Sequence, residues 1–387
     1  MKLLVVSHAC VTPVNQGFFA DVARQTGWDV ELVIPYYWNS EYQACIQASR
    51  WNDFRGAIHT IPVWNTGNIP LHLYKQPMIG LLRKVRPDVI YVHHEPYGLA
   101  TAQVYLANKM VDDRPIGFYA AQNILKKYPI PFRWFERWVL TNSDFSFPVT
   151  EGALGVIRRK GYSGAAQVLP LAIDTDIYRP NINWAKAKRE ELGIAKDEFV
   201  MGYVGRLVEE KGLDIMLHGA QVLLGKGMRC IFVGSGPFEA SLRETAAKLG
   251  MEQHILFIGF VPHEEVPRWL SLFNVLILVS ETRPNWKEQF GRVILEANAC
   301  ETAVIGTESG EIGNVIRDTG GGLIVPEASI VELGKAILEL ADNPERTRQL
   351  ALQGSAVVRK KYDQSYLAAR FIASIREASQ REGQTSE

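Results

Sequence analysis

Four segments of the chain concentrate side chains able to do chemistry. The most informative is RPNWKEQFGRVILEANAC (283–300), where seven residues separate Glu288 from Glu296. A helix starting near Phe290–Gly291 places Glu296 inside it and Glu288 just before its N-terminus. Backbone N–H groups at a helix start lack intrahelical partners and attract anions or hydroxyl oxygens. One carboxylate then faces a ligand and the other sits about two turns along. Taken by themselves, two solvated surface glutamates are the simpler reading. In VGRLVEEKG (204–212), an apolar run ends at Gly205 and leaves Arg206 and Lys211 where two cations suit a diphosphate. Arginine offers a forked contact and lysine a mobile point charge. The Walker A pattern is absent, and an exposed basic turn is the plain alternative. VGSGPFEASL (233–242) repeats strand, glycine turn and helix, but lacks the third glycine of a dinucleotide site. DVIYVHHEPYG (88–98) puts His93, His94 and Glu95 at a strand end. Consecutive strand residues point to opposite faces, so the two histidines make a poor metal pair. One buried and one exposed histidine would serve equally well.

These residues need a frame to hold them. Apolar runs at 3–6, 30–35, 88–92, 115–120 and 144–149 alternate with longer amphipathic stretches, and the pattern repeats at 199–204, 229–234, 255–260, 275–280 and 302–306. Continuous β-branched runs suit strands buried on both faces, joined by helices in βαβ units. The expected fold is α/β, with two doubly wound parallel sheets whose ligands lie beyond the carboxyl ends of the strands. The join falls near LPLAIDTDIYRPNIN (169–183), and a terminal amphipathic helix begins within KKYDQSYLAARFIASIRE (360–377). The expected division is a first domain over 1–172, a linker over 173–182, a second domain over 183–360 and a closing helical segment over 361–387.

Composition narrows the function. In 387 residues, 47% are hydrophobic and 22% charged, which excludes a largely disordered chain. Lys+Arg and Asp+Glu both total 42, so the basic excess typical of nucleic-acid binders is missing. The four cysteines (Cys10, Cys45, Cys230, Cys300) are scattered, without C-x-x-C or zinc-ligand spacing. MKLLVVSHACV reads as a first buried strand rather than a signal peptide, and no run reaches the roughly 20 apolar residues of a membrane span. A cytoplasmic protein is expected.

Together these segments resemble the family-4 retaining glycosyltransferases, the glycosyl transferases group 1 of GT-B architecture, most strongly over 199–326. The matching parts are E-x7-E enclosing Phe290-Gly291, GRL-x3-KG, VGSGP, GFVPHEEVPRWL (259–270), LPLAIDTDIYRP, SGEIGNVI and GGLIVPE. The resemblance implies two Rossmann-like domains facing a central cleft, and transfer of a sugar from a UDP-, GDP- or ADP-sugar to a glycan, glycolipid or small-molecule hydroxyl. It implies Arg206 and Lys211 at the diphosphate, Glu288 beside the donor sugar and Glu296 on the ribose. The backbone of Gln289, Phe290 and Gly291 would meet sugar hydroxyls or phosphate, and that of Val261 the base. His93, matched by count along its strand, would stand beside the donor sugar, although matching on H-E-P selects His94. No metal or other cofactor is implied, because the two cations take its place. A silent sugar-nucleotide-binding protein or an epimerase on the same fold are the alternatives.

The chain also departs from that pattern. The acceptor-side loop after the first strand keeps a single glycine, Gly17, preceded by Asn15-Gln16. Gly313 and Asn314 stand where Pro-Glu is common, LPLAID lacks a usual glycine, and Glu301 replaces another. Losing glycine costs little where the backbone is not left-handed. Finally, KKYPIPFRWFERWVL (126–140) joins Lys126, Lys127, Arg133 and Arg137 to Phe132, Trp134, Phe135 and Trp138. A basic aromatic helix of this kind can lie on anionic lipid, which opens a peripheral membrane contact; an ordinary helix with packed aromatics is the favoured reading.

Overall fold

The computed structural model describes residues 1–39 and 45–385. They form two compact units, one built from Met1–Ala172 with the closing helix that starts at Gln364, the other from Ile173–Asp363. In the first unit, seven parallel strands lie in the spatial order Ala165–Ala166, Phe145–Pro148, Ile116–Ala120, Val89–Val92, Lys2–Val6, Asp29–Pro35 and Ile58–Ile61. Alternation splits each strand between two cores. Leu3 and Val5 face one side, Leu4 and Val6 the other, all fully buried. The side of Leu3 is covered by the helix Gly17–Thr26 and by the closing helix, which contributes Leu367, Phe371 and Ile375. That closing helix is bound to its neighbour by Gln364 Nε2, which donates to Asp21 Oδ2 at 3.0 Å.

The second unit carries six parallel strands in the order Ile255–Gly259, Met228–Val233, Phe199–Val204, Val275–Leu278, Ala303–Thr307 and Gly322–Val325. In both sheets the strand order reverses beside the unit's first strand. In doubly wound sheets that reversal opens the crevice where ligands bind. The switch points lie between Lys2–Val6 and Val89–Val92 in the first sheet, and between Phe199–Val204 and Val275–Leu278 in the second. The loops after those four strands hold most of the residues singled out by chemistry alone.

Residues 173–182 are not a free connector. The Ile173 N–H donates to the Tyr362 carbonyl at 2.9 Å, Thr175 Oγ1 bonds Asp363 Oδ2 at 2.7 Å, and Tyr178 is buried. This stretch therefore belongs to the second unit, and the break at its far end falls at Asp363 rather than at 360. Glu301 falls in the case where losing glycine does cost stability. It sits just past the helix Arg292–Ala299 with φ +57°, the left-handed conformation that favours glycine there. The absent glycine has a cost after all.

Candidate active site

The residues of the second unit assemble on its switch point. The strand Phe199–Val204 ends at Gly205 and leads through Arg206 to a single tight turn, Glu209–Lys211. Tyr203 Oη donates to the Arg206 carbonyl at 2.8 Å and fixes that backbone. Across the switch, the loop after Val275–Leu278 brings Glu288 to Lys211, with Oε2 2.5 Å from Nζ. Both side chains are largely enclosed, 14% and 13% exposed, and Ser280 Oγ donates to the same carboxylate oxygen at 3.2 Å. The Lys211 ammonium also lies 4.9 Å from the centre of the Trp286 ring, a cation–π contact. A lysine held between a carboxylate and an indole is fixed in place before any ligand arrives.

Two glycines let this arrangement close. A Cβ on Gly310 would fall 1.9 Å from the Glu288 carbonyl oxygen, and φ there is +59°. Only glycine allows the 309–311 turn to press against the Glu288 backbone, where the Glu311 N–H also donates to the Glu288 carbonyl at 3.2 Å. Gly234 meets a similar limit, since its Cβ would lie 1.9 Å from the Gly205 carbonyl oxygen. The VGSGP turn is thus required for packing on the strand end that carries Arg206.

The helix Arg292–Ala299 starts where expected, with Gly291 in its N-cap position and Phe290 buried. No side chain caps it, and the Ile294 N–H donates to the Gly291 carbonyl at 2.9 Å. Gln289 is exposed. Glu296, expected on a ribose, is 93% enclosed and already engaged. Arg292 Nε stands 3.1 Å from it, and the buried Tyr178 hydroxyl hydrogen-bonds it. Burial first, and then the charge of Glu296, pushes the Tyr178 phenol well above its ordinary pKa. Val261 follows the strand Ile255–Gly259 and is half-buried beside the exposed Phe260.

In the first unit, His93 stands at the end of Val89–Val92, at that sheet's switch point. Its Nδ1 lies 3.3 Å from Ser7 Oγ, and its ring meets Tyr119 edge-on at 4.6 Å. Burial holds its pKa down at about 4, so the ring is neutral near pH 7. His94 turns to the opposite face, buried, with Nε2 accepting from the His8 N–H at 2.9 Å. Glu95 accepts from the N–H groups of Ala121 and Gln122 through one oxygen, at 2.8 and 3.1 Å. Desolvation nevertheless raises its pKa to about 7. Gly17 begins a helix in ordinary helical conformation, buried near Trp51 and Gln364. Nothing in that backbone requires glycine.

The segment 126–140 is half core and half surface. Its helix Phe132–Thr141 buries Glu136, Val139 and Leu140, and Lys160 pairs with Glu136 at 2.6 Å. Trp134 stays 60% exposed, beside a cavity of about 590 Å³ lined by Lys126, Lys127, Arg133, Arg137 and Arg159. Sequence reasoning did not single out Ser280, Trp286, Tyr178 or Gly310. Each matters through a partner distant in sequence, and only the position of Ser280, just past a strand end, gave a signal.

A doubly wound pair of sheets with a lysine and a carboxylate paired on a switch point is an arrangement that suits an anionic ligand beyond the strand ends. Comparison with known proteins shows what the chain is similar to. The model of the family "Glycosyl transferases group 1" matches residues 185–356, within the second unit, and the two-sheet fold is that of GT-B glycosyltransferases. It is 24% identical over 340 residues to an alpha-D-kanosaminyltransferase of Streptomyces kanamyceticus, covering 84% of this chain and 86% of that protein. A GDP-mannose-dependent alpha-(1-6)-phosphatidylinositol monomannoside mannosyltransferase of Mycolicibacterium smegmatis is 29% identical over 198 residues, 50% of this chain and 52% of its own length. Among solved structures, Anabaena Alr3699/HepE in complex with UDP superposes with a TM-score of 0.75 at 17% identity, covering 97% of this chain and 100% of that one. A sucrose-phosphate synthase from Thermosynechococcus elongatus gives 0.76 at 17% identity, covering 97% and 98%.

Proposed function

We propose that this protein is a family-4 glycosyltransferase that moves a sugar from a nucleoside-diphosphate sugar to a hydroxyl acceptor, with retention of anomeric configuration and without a metal ion. The observation that carries the reading is the Lys211–Glu288 pair on the switch point, with Arg206 on the adjoining strand end. In the ligand-free chain Glu288 holds Lys211. An arriving diphosphate offers Lys211 a stronger anionic partner, and Glu288 is released toward the sugar, where positive charge develops as the glycosidic bond loosens. Arg206 and Lys211 then stabilise the departing diphosphate, the role a divalent cation would otherwise fill; preorganised charges of this kind are worth several kcal/mol in the transition state. The neutral His93 ring suits a hydrogen bond to a sugar hydroxyl rather than a charge. The basic cavity beside Trp134 suits an acceptor or a membrane surface that carries negative charge. Among the described residues no helix is long and apolar enough to cross a membrane.

Anomeric proton NMR of the product tests retention, and the same assay in EDTA tests metal independence. An α-linked product from an α-linked donor, formed at an unchanged rate in EDTA, supports the reading. An inverted product or a rate restored only by Mg²⁺ overturns it, and donor conversion without acceptor would mark an epimerase.

A further inference from the structure

Three histidines of the first unit converge away from the Lys211–Glu288 pair of the second. His8 follows the strand Lys2–Val6, His94 follows Val89–Val92, and His72 directly precedes the short strand Leu73–Tyr74. One ring nitrogen of each lies within 4.8 Å of the other two. His72 and His94 are 0% and 1% exposed. Moreover, His8 Nδ1, His72 Nε2 and His94 Nδ1 are all shielded from solvent and have no hydrogen-bond partner. Buried nitrogens without partners call for a bound species to satisfy them.

The surroundings favour a metal ion. His72 Nδ1 lies 2.8 Å from the Ile69 carbonyl, so Nδ1 carries the proton and Nε2 presents its lone pair. A carbonyl behind the imidazole is the usual outer support of a histidine ligand. Aromatic walls close the space, with Trp38 4.8 Å from His8 and 5.1 Å from His72, ring centre to ring centre, and Tyr74 stacked on His94 at 6.3 Å. One feature must change on loading. His94 Nε2 accepts the His8 N–H, so Nδ1 holds the ring proton in the ligand-free chain. Coordination through Nδ1 moves that proton to Nε2 and gives up this one hydrogen bond. Metal–nitrogen bonds of about 2.0–2.1 Å place tetrahedral ligands about 3.4 Å apart, so the rings draw in by about 1 Å.

We propose that His8, His72 and His94 bind one divalent transition-metal ion of the imidazole-preferring kind, such as zinc or cobalt, with one coordination position left open. The ion ties the segment before Leu73 to the ends of two sheet strands. The inference does not rest on the transferase reading.

The full chain, stripped with EDTA and dialysed, is titrated with CoCl₂ and then ZnCl₂ while visible absorption and melting temperature are followed. The expected result is one saturable equivalent, a cobalt band of tetrahedral type displaced by zinc, and a raised melting temperature. His72→Gln and His94→Gln should each weaken binding by at least about 10-fold, the smallest loss that changing even an outer-shell partner of a metal ligand produces, with His218→Gln in the other unit unchanged. Absence of the cobalt band, or equal binding by folded His72→Gln, overturns the proposal and assigns the nitrogens to a buried water. Should a variant fail to fold, the wild-type titration decides alone.

Discussion

Replacing Glu288 by glutamine keeps the side chain's shape and removes its charge. In the structure that charge faces Lys211 at 2.5 Å, with both groups about seven-eighths enclosed. At the effective dielectric of such sites the gross attraction is about 4 kcal/mol for charge centres 4 Å apart. Desolvation of both ions offsets much of that, so Glu288→Gln should destabilise the fold by about 2 kcal/mol, lowering the melting temperature by roughly 4–8 °C for a unit of this size. The kinetic consequence differs in sign between the two parameters. Lys211 no longer has a competing carboxylate, so KM for the donor should hold or fall. The transition state loses a negative charge beside the developing cation, so kcat should drop about 10²–10³-fold, the loss typical of one preorganised electrostatic contact. Initial rates with donor varied at saturating acceptor separate the two. An unchanged kcat with a raised KM would refute the reasoning, because Glu288 would then act only in ground-state binding.

Two further outcomes follow from particular residues. Glu301→Gly should raise stability by about 0.5–1 kcal/mol, since φ is +57° at that position and a non-glycine residue there costs about 1–2 kcal/mol, partly offset by the greater freedom of glycine when unfolded; a melting temperature below wild type would contradict this. Glu95 has a folded pKa of about 7, raised from 4.5 by burial. The folded state therefore holds its proton more tightly than the unfolded state, and stability falls as pH rises from about 4.5 to 7. Glu95→Gln should flatten that decline and stabilise the protein at pH 8 by at most about 3 kcal/mol, measured by urea unfolding across pH; an unchanged pH profile would show that the carboxylate is not desolvated.

The positions of Arg206, Lys211 and Glu288 could be read directly because they follow strand ends. Arg206, Lys211 and Glu288 lie within short reach of long apolar runs, and a parallel sheet delivers the ends of its buried strands to one edge. The same logic failed at the sheet margins. Ile58–Ile61 is only partly buried, Gly322–Val325 likewise, and Ala165–Ala166 spans two residues, so none makes a strong apolar run. The pairing Tyr37–Asn39 with Cys45–Gln47 is too short to show a period. Contacts made across the chain were also invisible. Gly310 constrains Glu288, Trp286 steadies Lys211, and Tyr178 occupies Glu296, each through folding rather than spacing. The three histidines 8, 72 and 94 illustrate the same limit, since adjacency of His93 and His94 drew attention to the wrong pair. The cost of Glu301 turns on its backbone conformation, and a left-handed φ cannot be seen in residue type alone.

The central claim is that the second sheet's switch point holds the diphosphate of a sugar donor. Melting curves of the wild type and Arg206→Ala, with UDP, GDP and ADP and their common sugar conjugates, test it most directly. A ligand at about 100 times its Kd stabilises the folded state by about 2.7 kcal/mol, a rise of roughly 5–10 °C here. The account predicts such a rise with one nucleotide series and its loss in Arg206→Ala. No rise with any nucleotide, or an equal rise in the variant, would contradict it.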